Sequence, residues 1–138
     1  MNNDDALLLE IHAAVVGLAY LADYGSVEDY MGCLCEDAQW IVSRPGNGHA
    51  TQDRAQVEAG VRQRRAKGAQ GPGSAVRHVV NSVAAQRNAD GTASTVSYYS
   101  LFRGTATEPH LSSMGRYFDT WRHEEGRWRI ARRTVVTG

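Results

Sequence analysis

The carboxy-terminal half of the chain constrains its fold most. Residues 76–87, 93–104, 111–123 and 127–137 form four strand-length stretches in which Val, Thr, Tyr and Phe recur, residue types that suit a pleated, half-buried surface. "NADG" (88–91) joins the first pair and "EEG" (124–126) the last; both are hairpin-type connections. Long antiparallel strands twist and curl, which leaves a concave face that other elements must cover. With 138 residues the chain makes one domain, 1–138, so the cover has to come from the residues that precede the strands.

Those residues read as helices. Leu8, Ile11, Val15, Leu18 and Ala22 recur at spacings of three and four, which predicts one helix over 4–24 with a continuous apolar stripe. Leu7, Ala14 and Leu21 widen that stripe. Gly25 ends the helix, and Ser26 caps a second one over 27–36, with Val27, Met31 and Leu34 facing inward. "AQWIVS" (38–43) reads as a short strand, "RPGNGH" (44–49) as a loop, and 53–67 as a third, more polar helix. "GAQGPGS" (68–74) has the composition of a flexible mouth or lid. Helices followed by an antiparallel sheet form the α+β pattern, with a pocket expected where the first helix ends above the curled sheet.

Charge and cysteine usage narrow the function classes. Lys+Arg and Asp+Glu are both 15, so the formal net charge is zero, which argues against nucleic acid as a partner because phosphate neutralisation needs a basic excess. "RQRRAK" (62–67) reads as a solvated helix face. Cys33 and Cys35, on the predicted second helix, point in different directions and read as free thiols. The start, "MNNDD", is acidic where a signal peptide would be basic, and the apolar run Ala13–Ala22 is short for a bilayer. These readings predict a soluble, cytoplasmic protein without a membrane partner.

Chemistry centres on Asp23. It stands near the negative end of the first helix, on the flank of the apolar stripe, where both the helix dipole and desolvation oppose a carboxylate. His78, in "VRHVVNS", shares a strand face with Val76 and Val80. A carboxylate bonded to one ring nitrogen would fix the tautomer and leave the other nitrogen as a base. Tyr20 (one turn before Asp23), Tyr98 or Tyr117 could donate to a carbonyl or departing hydroxyl, with Trp40, Val42 and Val80 as apolar wall. Gly115, Tyr117, Asp119 and Trp121 share one strand face; Arg132 and Arg133 read as ion-paired surface residues. No phosphate loop, dinucleotide fingerprint, nucleophile elbow or metal-ligand cluster is present in the sequence, so acid–base chemistry without cofactor or metal is the reaction class left.

"YLADYGSVEDYMGCLCEDAQW", "RHVVN" and "GRYFDTWRHEEGRWRIARR", in that order and spacing, resemble the SnoaL-like branch of the nuclear transport factor 2-like superfamily. The resemblance covers nearly the whole chain. It implies a cone-shaped α+β barrel with three amino-terminal helices packed on a curled, mainly antiparallel sheet. Within the superfamily the chain looks most like the scytalone dehydratase and hexachlorocyclohexane dehydrochlorinase type, whose Asp–His dyad falls on Asp23 and His78. Trp40 matches an aromatic that lines the dehydrochlorinase pocket. Gly115 and Tyr117 stand where the dehydratase has polar pocket residues, and the basic partners of the dehydrochlorinase have no clear counterpart. The resemblance therefore implies a cofactor-independent lyase or isomerase acting on a hydrophobic cyclic small molecule. The alternatives are a non-catalytic subunit or binding protein of the same fold, then a polyketide cyclase or epoxide hydrolase. Val79, Val83 and Ala85, predicted on the strand face opposite His78, would make an apolar outer surface suited to a homodimer or homotrimer.

Overall fold

The computed structural model describes residues 2–138. Helix α1 (Asn3–Tyr24) begins on Asn2, whose side chain accepts from the Asp5 amide while the Asp5 carboxylate accepts from the Asn2 amide. This reciprocal box satisfies two donors that a helix start leaves free. Leu7, Ile11, Val15 and Leu18 are buried along one stripe, while Leu8 and Ala22 of the predicted stripe are half-buried at its margins. At the other end, the carbonyls of Gly25, Leu21 and Ala22 accept from the Arg65 guanidinium at 2.5, 3.2 and 3.5 Å. An arginine far along the chain thus closes this helix and offsets its negative pole. By length and mean hydropathy (1.6) α1 could also cross a membrane, although the run 13–22 alone looked too short; in the structure its stripe packs on the sheet.

Helix α2 (Val27–Met31) stops at Gly32, and strand β1 (Leu34–Arg44) begins where the second helix was predicted to continue to residue 36. Val27, Met31 and Leu34 fit a helix face, but pairing decides the matter. Leu34 registers with Ile130, the Ile130 amide donates to the Cys33 carbonyl at 2.8 Å, and Arg54 and Arg129 donate to the carbonyls of Met31 and Gly32. Cys33 and Cys35 are therefore on a turn and a strand, both buried and free. Half of the predicted 44–49 loop is also strand: β2 (Gly48–Gln52) pairs antiparallel with β1. All five of its residues are exposed, so no hydrophobic alternation marked it. Helix α3 (Arg54–Ala66), boxed by Asp53 and Gln56, buries Val57 and Val61. The 68–74 segment after it is tied down: Ala69 donates to the Arg64 carbonyl, Ser74 to that of Gly71, and Gly71 (φ +86) packs so tightly on Arg65 that a Cβ would come within 2.9 Å of its Cγ.

Strands β3 (Val76–Arg87), β4 (Ala93–Arg103), β5 (His110–Glu124) and β6 (Arg127–Thr137) form an antiparallel meander, and β6 then runs parallel beside β1. The order is β2-β1-β6-β5-β4-β3. The sheet is mainly antiparallel, but it does not close into a barrel: β2 and β3 are its edges. The helices do not all precede it either, since β1 and β2 separate α2 from α3. The core gathers Ile11, Val15 and Leu18 of α1 with Met31, Leu34, Val57, Val61, Trp121 and Ile130; buried Trp121 donates its indole N–H to Thr95 at 2.9 Å.

One irregularity corrects the predicted outer face. Between Asn81 and Ala84 the β3–β4 register gains a residue, with Ser82 at φ +55. A bulge reverses side-chain parity beyond it. Val83 and Ala85 consequently turn inward against the core, and only Val79, 44% exposed, keeps its predicted outward position.

Candidate active site

The concave side of the sheet, roofed by α1 and α3, encloses a cavity of about 600 Å³, within the range of small-molecule sites (about 300–1,000 Å³). Its buried lining includes Val15 and Leu18 from α1, Tyr30 from α2, Tyr99 from β4, Tyr117 from β5 and Arg133 from β6. Trp40 and Val42 line it from β1, and His78 from β3.

Asp23 and His78 meet. The Asp23 carboxylate accepts the His78 backbone N–H at 2.9 Å through Oδ2 and lies 2.8 Å from the ring Nδ1 through Oδ1. Asp23 is 4% exposed. Two donors from one residue satisfy the acid that helix dipole and burial both oppose. With Nδ1 donating, Nε2 carries the lone pair, and no protein group among the described residues bonds it. The Arg65 clamp on the last carbonyls of α1 holds the turn from which Asp23 projects, while the His78–Leu101 register fixes the imidazole along β3.

A second buried pair lies in the floor. Arg133 donates through Nε and Nη2 to the two oxygens of Asp119 at 2.7 and 2.8 Å, the bidentate geometry that makes such pairs strong. Burial works against the Arg133 charge, but Asp119 more than offsets it and holds the guanidinium above its ordinary pKa. Arg133 stacks 3.8 Å above the Tyr117 ring and 5.2 Å from that of Trp40, and its Nη1 has no hydrogen-bond partner among the described residues. Tyr117 stacks in turn on Tyr99, ring centroids 4.7 Å apart. Burial pushes the Tyr117 and Tyr30 hydroxyls above their ordinary pKa, against the pull of Arg133. Both phenols therefore remain O–H donors at neutral pH.

A family model described as the SnoaL-like domain matches residues 6–134. The chain belongs to the SnoaL-like family. A comparison with curated proteins finds no match. Among solved structures, this SnoaL-like domain superposes on ActVI-ORFA from Streptomyces coelicolor with a TM-score of 0.73 at 19% identity, covering 95% of this chain and 97% of that one. It is similar to a candidate scytalone dehydratase from Novosphingobium aromaticivorans (TM-score 0.72, 20% identity, 98% and 86% covered). The β subunit of a candidate aromatic-ring-hydroxylating dioxygenase from the same organism gives 0.79 at 14% identity, with 99% and 92% covered. These likenesses establish the fold.

Of the residues singled out in the sequence, Trp40, Val42, His78 and Tyr117 line the cavity of the SnoaL-like domain and Asp23 bonds to one of them. Tyr20, Tyr98 and Val80 do not line it. Tyr20 is 64% exposed and packs on Tyr24 outside α1. Tyr98 points to the outer face of β4, 50% exposed, and its neighbour Tyr99 takes the inward place. Val80 packs on the core and borders a shallow outer groove shared with Tyr20 and Asp23. Arg133 is a buried floor residue, not a surface one. Sequence reasoning also passed over Tyr30 and Tyr99. Gly115 carried a signal for Tyr99: the two are register partners, and a Cβ at 115 would stand 2.9 Å from the Tyr99 ring and 2.1 Å from the Val136 carbonyl.

Proposed function

We propose that this SnoaL-like domain is a cofactor-independent acid–base catalyst, a lyase of dehydratase type or an isomerase, acting on a cyclic small molecule. His78 takes a proton through Nε2 from a carbon next to a carbonyl. Asp23 holds the imidazole in the right tautomer and stabilises the imidazolium that forms. The negative charge passes to the carbonyl oxygen, where the Tyr117 hydroxyl and the free Nη1 of Arg133 are the available donors. The resulting enolate either expels a β-hydroxyl, which leaves as water with the proton from His78, or is reprotonated at another carbon. Trp40, Val42, Val15 and Leu18 supply the apolar wall.

The single observation carrying this reading is the double attachment of His78 to buried Asp23 at the wall of an open cavity. A non-catalytic subunit of the same fold has no need of that contact beside an unfilled chamber. General acid–base groups contribute about 10²–10⁴-fold each, so His78→Ala and Asp23→Asn should each lower turnover of a cyclic β-hydroxyketone by at least about a hundredfold while the melting temperature stays near wild type. A substrate screen followed by kinetics on both variants tests this; unchanged turnover in both would retire the mechanism.

A further inference from the structure

The net charge of the chain is zero, but that of the cavity is not. Its lining contains Arg44, Arg64 and Arg133 and neither Asp nor Glu. Asp119 lies behind Arg133 and is spent on it, and Asp23 is spent on His78. Arg44, at the end of β1, and Arg64, near the end of α3, are exposed and mark the mouth; among the described residues neither has a carboxylate partner.

Arg64 is also held in place. Its Nε donates to Gln70 at 3.1 Å, and the missing side chain at Gly60 gives it room, since a Cβ there would lie 3.0 Å from its Nη1. It lines the same cavity as the buried Tyr30 while remaining exposed, so Arg64 borders the interior as well as solvent. Gln52 and Gln70 add amide donors to the same lining. Arginine forks match planar oxyanions, and low-dielectric walls concentrate the field of a one-signed cleft.

We propose that the ligand is an amphipathic organic anion: a cyclic apolar skeleton seated beside His78, carrying a carboxylate that Arg44 and Arg64 hold at the mouth. This rests on the acid–base reading for what happens at His78, but the charge preference itself is a property of binding. Calorimetric titration of 2-naphthoate against its neutral isostere 2-naphthamide tests it without any turnover. Naphthoate should bind wild type at least about tenfold more tightly, and added salt should shrink that preference. The Arg44→Gln/Arg64→Gln variant, altered only at exposed positions, should bind the two compounds within about twofold of each other. His78→Ala should keep the preference, so a failed catalytic mechanism would not mimic a failed charge assignment. Equal binding of both compounds to wild type, no binding of naphthoate at millimolar concentration, or a preference that survives in the double arginine variant would each overturn the proposal.

Discussion

Two buried aspartates each hold a nitrogen-bearing side chain that lines the chamber, yet they do different work. Asp119 and Arg133 sit on neighbouring strands and match oxygen for nitrogen through two bonds. Arg133 does not lose its proton at any physiological pH, so the pair is a fixed dipole whose Nη1 is not engaged by Asp119. Asp23 instead divides its oxygens between a backbone amide and an imidazole. One bond locks position and the other sets a tautomer, leaving a nitrogen able to accept and return a proton. The same acid thus makes a static electrostatic element on β5 and, under the proposed acid–base function, a proton-transfer element at the end of α1, and the partner decides which.

Removing one carboxylate at a time should expose the contrast. Asp119→Ala strands a guanidinium in the floor and should cost about 3–5 kcal/mol, read as a shifted urea midpoint at constant m-value. A loss under 1 kcal/mol would mean that Arg133 reaches water. Asp23→Ala leaves an amide and a neutral imidazole short of an acceptor, at about 1–3 kcal/mol in the same assay, with the greater damage in turnover. Should the Asp23 variant prove the less stable of the two, the division of labour is wrong. Smallest of all should be Asp119→Leu with Arg133→Met: replacing both members of a buried pair by apolar residues tends to be neutral or stabilising. That double variant should keep the wild-type midpoint within about 1 kcal/mol and still lose part of its activity, because the Tyr117 hydroxyl is then left without the charged donor beside it.

Legibility in the sequence followed the physics of each element. Helix α1 and the four long strands announced themselves because periodicity, caps and turn residues agree over many positions. The contact between Asp23 and His78 was readable because a carboxylate at the wrong end of a helix asks for a partner, and the first long strand carries one on its inward face. Elements decided by partners were not readable. Strand β2 buries nothing, and the segment after Met31 could serve as helix or strand until Ile130 and two arginines claimed its carbonyls. The choice between Tyr98 and Tyr99 hung on strand parity, and "SYYS" puts a tyrosine on each face. Arg133 misled for a simpler reason: its mate lies on another strand, so nothing local distinguishes it from exposed Arg132.

The insertion at Ser82 carries a consequence for how this chain can change over time. It divides one ribbon into two reading frames, an upstream frame that presents His78 to the chamber and a downstream frame that seats α1 on Val83 and Ala85. A substitution that ironed out the kink, so that regular pairing ran straight through residue 82, would leave every other letter intact and still turn the downstream valine toward solvent, unseating the front of the helix whose far end carries the acid. The bend at this position is therefore as much a part of the chamber's specification as the identity of any side chain lining it.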